Sequence, residues 1–385
     1  MLFSDILGHE HIKKHLTQSV DNGRVPHAQL FEGPEGSGTL PLAIAYAQYI
    51  LCKNTEGENT NGINACNLKF DHLSHPDLHF AFPVSTNENI KSHPVSAHFM
   101  NDWRKLIKEQ PYCNLFDWYK QIGIEKKQGQ IGVDEAHEIV KSLSLKPYEG
   151  GHKVMIIWMA EKMNTACANK LLKLIEEPPN KTIFILISED AEQLLTTIKS
   201  RCQVLHLSPL PEAVIQDGLL KRFGLDLKVA AAIAHRANGN FNKAADLVYQ
   251  DSEDIQFEQW FIAWVRSAFK AKGNKAAIHD LISWSEEISK TGRETQKQFL
   301  NFCVDFFRQA LLLNYNANTL VFMEPQINGF SLSKFAPFVH ENNILEINDE
   351  LQNAIYHIER NGNSKIILTD LSIKLTRLLH TKAST

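Results

Sequence analysis

Two stretches carry residue types suited to phosphate chemistry. The first is Gly33-Pro34-Glu35-Gly36-Ser37-Gly38-Thr39-Leu40. It follows a short apolar run, Ala28 to Phe31, and precedes a helical pattern through Ala43, Ala47 and Ile50. A strand, a glycine-rich turn and a helix form the setting in which backbone amides cradle phosphate at a helix N-terminus. The motif GxxxxGK[ST] places a lysine on the β- and γ-phosphates and a hydroxyl on Mg²⁺. Thr39 and Leu40 fill those two positions. The glycines then read as a turn kept for its backbone geometry, and productive MgATP binding is not expected. The second stretch is Ser200-Arg201-Cys202. A guanidinium is a permanently charged fork that matches phosphate oxygens. Taken alone, Arg201 reads as a solvated or salt-bridged surface residue.

The elements around these residues follow from periodicity. Asn164 predicts an N-cap for a helix whose face carries Leu171, Leu172 and Ile175. Pro178-Pro179 ends that helix, since neither residue can donate to it. Ile183 to Ile187 and Val154 to Ile157 are near-continuous apolar runs, as expected for parallel strands covered on both faces. Val204, Leu205 and Leu207 form another run. Gly8 to Gly23 reads as a helix with Ile12, Leu16 and Val20 on one face. Ile131 to Asp134 leads into a helix capped by Asp134, with Ala136, Ile139, Val140 and Leu143 inward. Residues 83–130 hold two helical patterns, Met100 to Ile107 and Asn114 to Ile122. Their aromatics Trp103, Trp118 and Tyr119 read as packing. Beyond Pro209, three short amphipathic helices are expected over Ala213–Phe223, Asp226–Ala237 and Phe241–Tyr249. From Asp251 onward the pattern is helical, with helices at 253–271, 275–290, 292–315, 333–340, 342–361 and 364–380. Phe302, Val304, Phe306, Phe307, Leu311 and Leu312 make a wide apolar stripe, as in a bundle core or a subunit interface.

The chain has 385 residues and a net charge of -4. Its 43% hydrophobic and 22% charged residues are an ordinary soluble composition. No apolar run approaches the ~18 residues that span a bilayer, and the start of the chain has no basic leader. The expectation is a cytoplasmic protein. The charge argues against tight DNA binding by this chain alone, which relies on neutralising phosphates. Six cysteines are scattered without the spacing of a disulfide framework.

The ordered series Leu171-Leu172-Lys173, Glu176-Glu177-Pro178-Pro179, Phe184, Thr197-Ile198 and Ser200-Arg201-Cys202 resembles the clamp-loader branch of the AAA+ ATPases. The lead-in His27 to Pro34 and His75-Pro76-Asp77 match it too. The resemblance covers most of the chain, strongly over 1–80 and 130–210. It implies an α/β AAA+ P-loop NTPase-like domain at 1–208, a parallel sheet with flanking helices. A small helical lid at 209–250 and an all-α collar domain at 251–385 would follow. By this resemblance Trp158 and Met159 stand where the Walker B Asp-Glu pair would hold Mg²⁺ and orient water. Glu161 matches only the next acidic position. Asn242 stands at the lid's sensor-2 arginine. Related subunits often carry four cysteines between 52 and 66. Thr60 and Ile63 replace the middle two here, and two thiolates do not make a structural zinc site. His72, His75 and His79 lie near, but the spacing argues for leftover cysteines, and neither metal nor cofactor is expected.

The resemblance is closest to the delta-prime subunits of the bacterial DNA polymerase III clamp loader. It implies a component of that DNA-directed polymerase holoenzyme with no hydrolysis of its own. Its partners would be the ATPase (gamma/tau) subunits and the delta subunit in a five-membered ring, and, through the ring, the sliding clamp and primed DNA. Arg201 would be an arginine finger given in trans. One alternative is a divergent gamma/tau-like ATPase that binds nucleotide itself, which nucleotide binding by the isolated chain would reveal. Another is an adaptor of AAA+ shape outside replication, which its co-purifying proteins would reveal.

Overall fold

The computed structural model describes residues 1–53, 65–148, 151–179, 181–249, 252–321, 325, 327 and 329–382. The chain divides into two compact units. One is Met1–Ile124 with Gln128–Val248, the other Glu125–Lys127 with Tyr249–Thr385.

The first unit is built on five parallel strands: β1 (Ala28–Glu32), β2 (Leu78–Ala81), β3 (Lys153–Ile157), β4 (Thr182–Ser188) and β5 (Gln203–His206). Their order is β2-β3-β4-β1-β5. Leu30 of β1 pairs in register with Leu186 and Val204. Every residue of β3 and β4 is buried, which explains runs without polar alternation. Successive side chains still divide between two layers. Phe31, Ile156 and Ile185 face one side, with Leu42 and Tyr46 of α2 (Thr39–Cys52), Trp103 and Leu106 of α4 (Met100–Glu109), and Trp118 of α5 (Leu115–Gln121). Leu30, Met155 and Leu186 face the other, with Ile139 of α6 (Val133–Ser144) and Leu171 of α7 (Thr165–Glu176). Helices α1 (Glu10–Asp21), α3 (Ala65–Asp71) and α8 (Thr196–Lys199) complete this α/β layer structure. The same unit includes α9 (Glu212–Phe223), α10 (Leu227–Ala237) and α11 (Phe241–Tyr249). Ile215, Leu219, Ala230, Ala234 and Phe241 form their own small core.

The second unit is helical: α12 (Ser252–Lys270), α13 (Lys275–Ser289), α14 (Arg293–Asn314), α15 (Leu332–Phe335), α16 (Glu341–Glu359) and α17 (Ser364–Leu378). Its core is aromatic. Phe261 meets Phe306 at a tilt, 4.2 Å between ring centroids, and Trp264 stacks on Trp284 at 4.9 Å. Phe306 and Phe307 of the α14 stripe are buried, while Phe302, Val304 and Leu311 pack against the same core partly exposed.

Several expectations change. Asp134 does not cap α6: Gly132 holds the N-cap position, and Asp134 lies in the first turn, where a carboxylate still favours the helix dipole. Val140 faces outward at 38% exposure, because the buried stripe Ala136, Ile139 and Leu143 leaves it off the core face. The helix expected over 333–340 stops at Phe335 and tightens into a 3₁₀ turn, Ala336–Phe338, because Pro337 has no N–H to continue it. Cys52 and Cys66 form a disulfide, although their spacing gave no such signal. Thr60 and Ile63, between them, lie outside the described residues.

Candidate functional site: a filled phosphate loop

β1 delivers the chain into the glycine turn, and Gly38 caps α2 with φ +95°. Gly36 is also left-handed, at φ +69°. Both glycines face the chain's own residues. A Cβ on Gly36 would fall 1.9 Å from Asn240 Oδ1, and one on Gly38 would fall 2.9 Å from Tyr112 Cε1. At Gly33 it would fall 2.9 Å from Leu207. Close backbone approach therefore explains the glycines without a bound phosphate. Thr39 and Leu40 are buried, and Leu40 belongs to the core beneath α2.

Polar groups gather on the turn from three directions. From α1, His9 Nε2 donates to the Ser37 carbonyl at 2.9 Å, and burial holds the imidazole below its ordinary pKa, so it stays neutral. From the stretch before α11, Phe241 N donates to the Gly36 carbonyl at 3.1 Å, and Asn240 Nδ2 to Glu35 Oε1 at 3.0 Å. From the 83–130 segment, Asn114 Nδ2 donates to the same Glu35 oxygen at 3.1 Å. Asn114 and Asp117 also cap α5 reciprocally. Asn242 donates through Nδ2 to Asp117 Oδ2 at 2.9 Å. Desolvation raises the Asp117 pKa, and the Glu35 charge adds to the rise. Two carboxylates thus sit beside a loop that in an active site would attract anions.

The end of β3 is filled in the same way. Trp158 and Met159 are 2% and 3% exposed. The Trp158 ring lies 5.1 Å from that of Trp103, which stacks on Phe82 at 4.3 Å and meets Trp118 edge-on at 5.2 Å. Met159 turns the chain with φ +54°. Glu161 is a desolvated carboxyl with its pKa raised by burial. Trp103 and Trp118 come from the 83–130 segment, as do Tyr112, Asn114 and Asp117. That segment had no assignable role from sequence, and its work here is to cover both ends of the site.

Arg201 stands apart at the surface. Its Nε donates to Glu176 Oε2 at 2.9 Å and its Nη1 to the Thr197 carbonyl at 2.8 Å. The side chain keeps 33% exposure. Ser200 Oγ donates to the Thr197 carbonyl at 3.2 Å, and burial pushes the Cys202 thiol up to about 11, so it is no nucleophile at neutral pH. Cys52 and Cys66 bond to each other. Among the described residues no group of three or more His, Cys, Asp or Glu side chains is arranged to hold a metal ion. His75 is buried against the Phe70 ring, and its Nδ1 accepts from Asp77 N at 3.2 Å. No helix among the described residues is long and apolar enough to cross a membrane.

The delta' subunit of DNA polymerase III from Bacillus subtilis is 28% identical over 240 residues, 62% of this chain and 59% of that protein. The delta' subunit from Escherichia coli is 29% identical over 198 residues, 51% of this chain and 47% of that protein. The tau/gamma subunit of Haemophilus influenzae is 27% identical over 217 residues, 56% of this chain and 25% of that protein. The chain spans about half the length of the delta' relatives it matches. The family described as "DNA polymerase III, delta subunit" matches residues 8–211, more than half of the chain, and the chain belongs to that family.

Proposed function

We propose that this chain is a delta-prime-type, non-hydrolysing subunit of a bacterial DNA polymerase III clamp loader. It helps place the sliding clamp on primed DNA and contributes Arg201 to a neighbouring subunit. The observation that carries this reading is the filled phosphate loop. Thr39 and Leu40 stand where lysine and hydroxyl would be, Trp158 and Met159 replace the acidic pair, and Glu35 and Asp117 put negative charge beside the turn. Two independent halves of MgATP chemistry are missing. The partners are then the gamma/tau ATPase subunits and the delta subunit in a five-membered ring, with clamp and DNA met through the ring.

An arginine with no phosphate of its own to serve has a role in trans. Arg201 is partly exposed, held at two points and flanked by small residues, and a neighbour with intact motifs would supply MgATP. The test is reconstitution of the ring with Arg201→Ala. The expected result is normal assembly by gel filtration with reduced clamp-dependent ATP turnover and clamp loading. The loss should be smaller than the ~10³–10⁵ of a lone arginine finger, since other interfaces keep theirs. Arg201→Lys should not restore full activity, because lysine lacks the fork. Wild-type turnover and loading from a fully assembled Arg201→Ala ring would leave the subunit a purely structural role.

A further inference from the structure

Helix α4 buries one face and leaves its cations on the other. Trp103, Leu106 and Ile107 are buried, whereas Lys105 and Lys108 are exposed and Arg104 is half-buried. Arg104 and Lys108 stand four residues apart, a spacing at which like charges weaken a helix. All three cations line a cleft of about 300 Å³. The rest of its lining is Asp71 at the end of α3 and, in the turn that follows, His72 and Ser74. Cys66 of α3 is bonded to Cys52, Asn67 Oδ1 accepts from Gln48 Nε2 at 2.8 Å, and Phe70 is buried, so this side of the cleft is fixed without a ligand. Leu73 turns the chain with φ +45° and is itself buried. Arg104 Nε donates to the Leu73 carbonyl at 3.2 Å, which ties α4 to the turn. The two terminal nitrogens of Arg104 have no partner among the described residues, and neither do Lys105 Nζ and Lys108 Nζ. Asp71 pairs with the Met1 amino group at 3.6 Å and not with these cations. Lysines elsewhere do find carboxylates, as Lys13, Lys53 and Lys297 do. In a chain with 44 acidic and 40 basic residues, the cleft is a local excess of positive charge.

We propose that this cleft is a binding site for a compact phosphate polyanion, of the class of inorganic pyrophosphate. The free edge of the Arg104 fork takes one phosphate group bidentately, and Lys105 and Lys108 meet the other as point charges. A concave site lined by one sign of charge concentrates such an anion. The volume lies at the lower end of small-molecule pockets, and no Trp, Tyr or Phe lines it to stack a base. Both features favour a small anion over a nucleic-acid strand. The cleft shares no residue with the glycine turn or with Arg201, and the proposal does not rest on the function given above.

The test is calorimetric titration of the full chain with inorganic pyrophosphate, at fixed ionic strength and without divalent metal. We expect one site with a submillimolar Kd, and orthophosphate weaker by about tenfold or more because it offers fewer contacts. The double variant Lys105→Ala, Lys108→Ala should keep the wild-type Tm, since both side chains are exposed. It should weaken pyrophosphate by about tenfold per lysine. Arg104→Lys keeps the charge without the fork and should also lose about tenfold. MgATP, whose metal already meets its phosphate oxygens, should give no signal. Absence of pyrophosphate binding by the wild type overturns the proposal. Equal binding by the double-lysine variant also overturns it, because the anion would then sit elsewhere. A single-stranded oligonucleotide that displaces pyrophosphate from the wild type, and no longer binds the double-lysine variant, would overturn the compact ligand and assign the cleft to nucleic acid.

Discussion

Arg201 Nε lies 2.9 Å from Glu176 Oε2, so the last turn of α7 fixes the guanidinium that follows α8. Both side chains are partly exposed, and a pair of this kind is worth about 0.2–1 kcal/mol. Glu176→Gln should therefore leave Tm nearly unchanged. In the reconstituted ring it should alter ATP turnover in the same direction as Arg201→Ala but less, because the Thr197 carbonyl still holds one nitrogen. A turnover identical to wild type would mean that this tether does not orient the arginine.

The isolated chain should neither hydrolyse ATP nor bind it at millimolar concentration. Restoring the motif with Thr39→Lys and Leu40→Thr should not create activity. Leu40 is core, and Tyr112 and Glu35 still occupy the turn. Steady-state turnover that depends on the protein and disappears on mutation of Gly38 would contradict this.

Trp158→Asp should unfold the first unit instead of rebuilding a Mg²⁺ site. Removing a buried tryptophan costs about 3–5 kcal/mol, and a carboxylate beside Trp103 adds an unpaired buried charge. Urea denaturation followed by tryptophan fluorescence would measure it. A loss below about 1 kcal/mol would show that the aromatic cluster is not a structural core.

Glu135 provides a pH test. It is buried in α6, its Oε2 accepts the Ser96 N–H at 2.6 Å, and desolvation raises its pKa to about 7. The folded state then holds the proton more tightly than the unfolded one. The group's contribution is greatest below its ordinary value of 4.5 and is lost as pH rises towards 7. The loss is about 3 kcal/mol at most. Glu135→Gln keeps an oxygen for Ser96 and removes the charge. Wild type minus variant should change sign of slope nowhere, falling steadily between those two pH values. A difference independent of pH would refute the buried-carboxyl account.

Peptide mapping without reductant should recover Cys52 and Cys66 in one linked peptide. Reduction should cost about 3 kcal/mol for a loop closing over a separation of 14 residues. Metal analysis of protein purified without chelator should find no stoichiometric zinc. One zinc per chain, lost in Cys52→Ser and Cys66→Ser, would replace the disulfide with a metal site.

The sheet was legible because its signals are local. Asn164 accepts from Cys167 N at 2.8 Å as its type and place predict, and the apolar runs at 154–157 and 183–187 are buried strands. Thr39, Leu40, Trp158 and Met159 could be read from the sequence, and the part they stand in for is what the resemblance implies. What packs around them could not be read. Tyr112 meets Gly38, and Trp103 meets Trp158, across long sequence separations that leave no periodicity. The one available hint was Asn114 three residues before Asp117, a helix-start signature whose second partner, Asn242, lies in another element. Val140 was misplaced because a one-position change of helical phase separates a core stripe from its edge.

The packing around the glycine turn also bears on how this chain can change over time. The glycine turn and the end of β3 each have a neighbour fitted to them: Tyr112 at Gly38, Asn240 at Gly36, Trp103 at Trp158. A side chain added at either glycine meets a clash, and a smaller one at Trp158 leaves a void, so each single change lowers stability. Change in this region is thereby blocked one residue at a time. A lineage carrying this core would have to remodel residues 103–117 as a block before selection for nucleotide turnover had anything to act on.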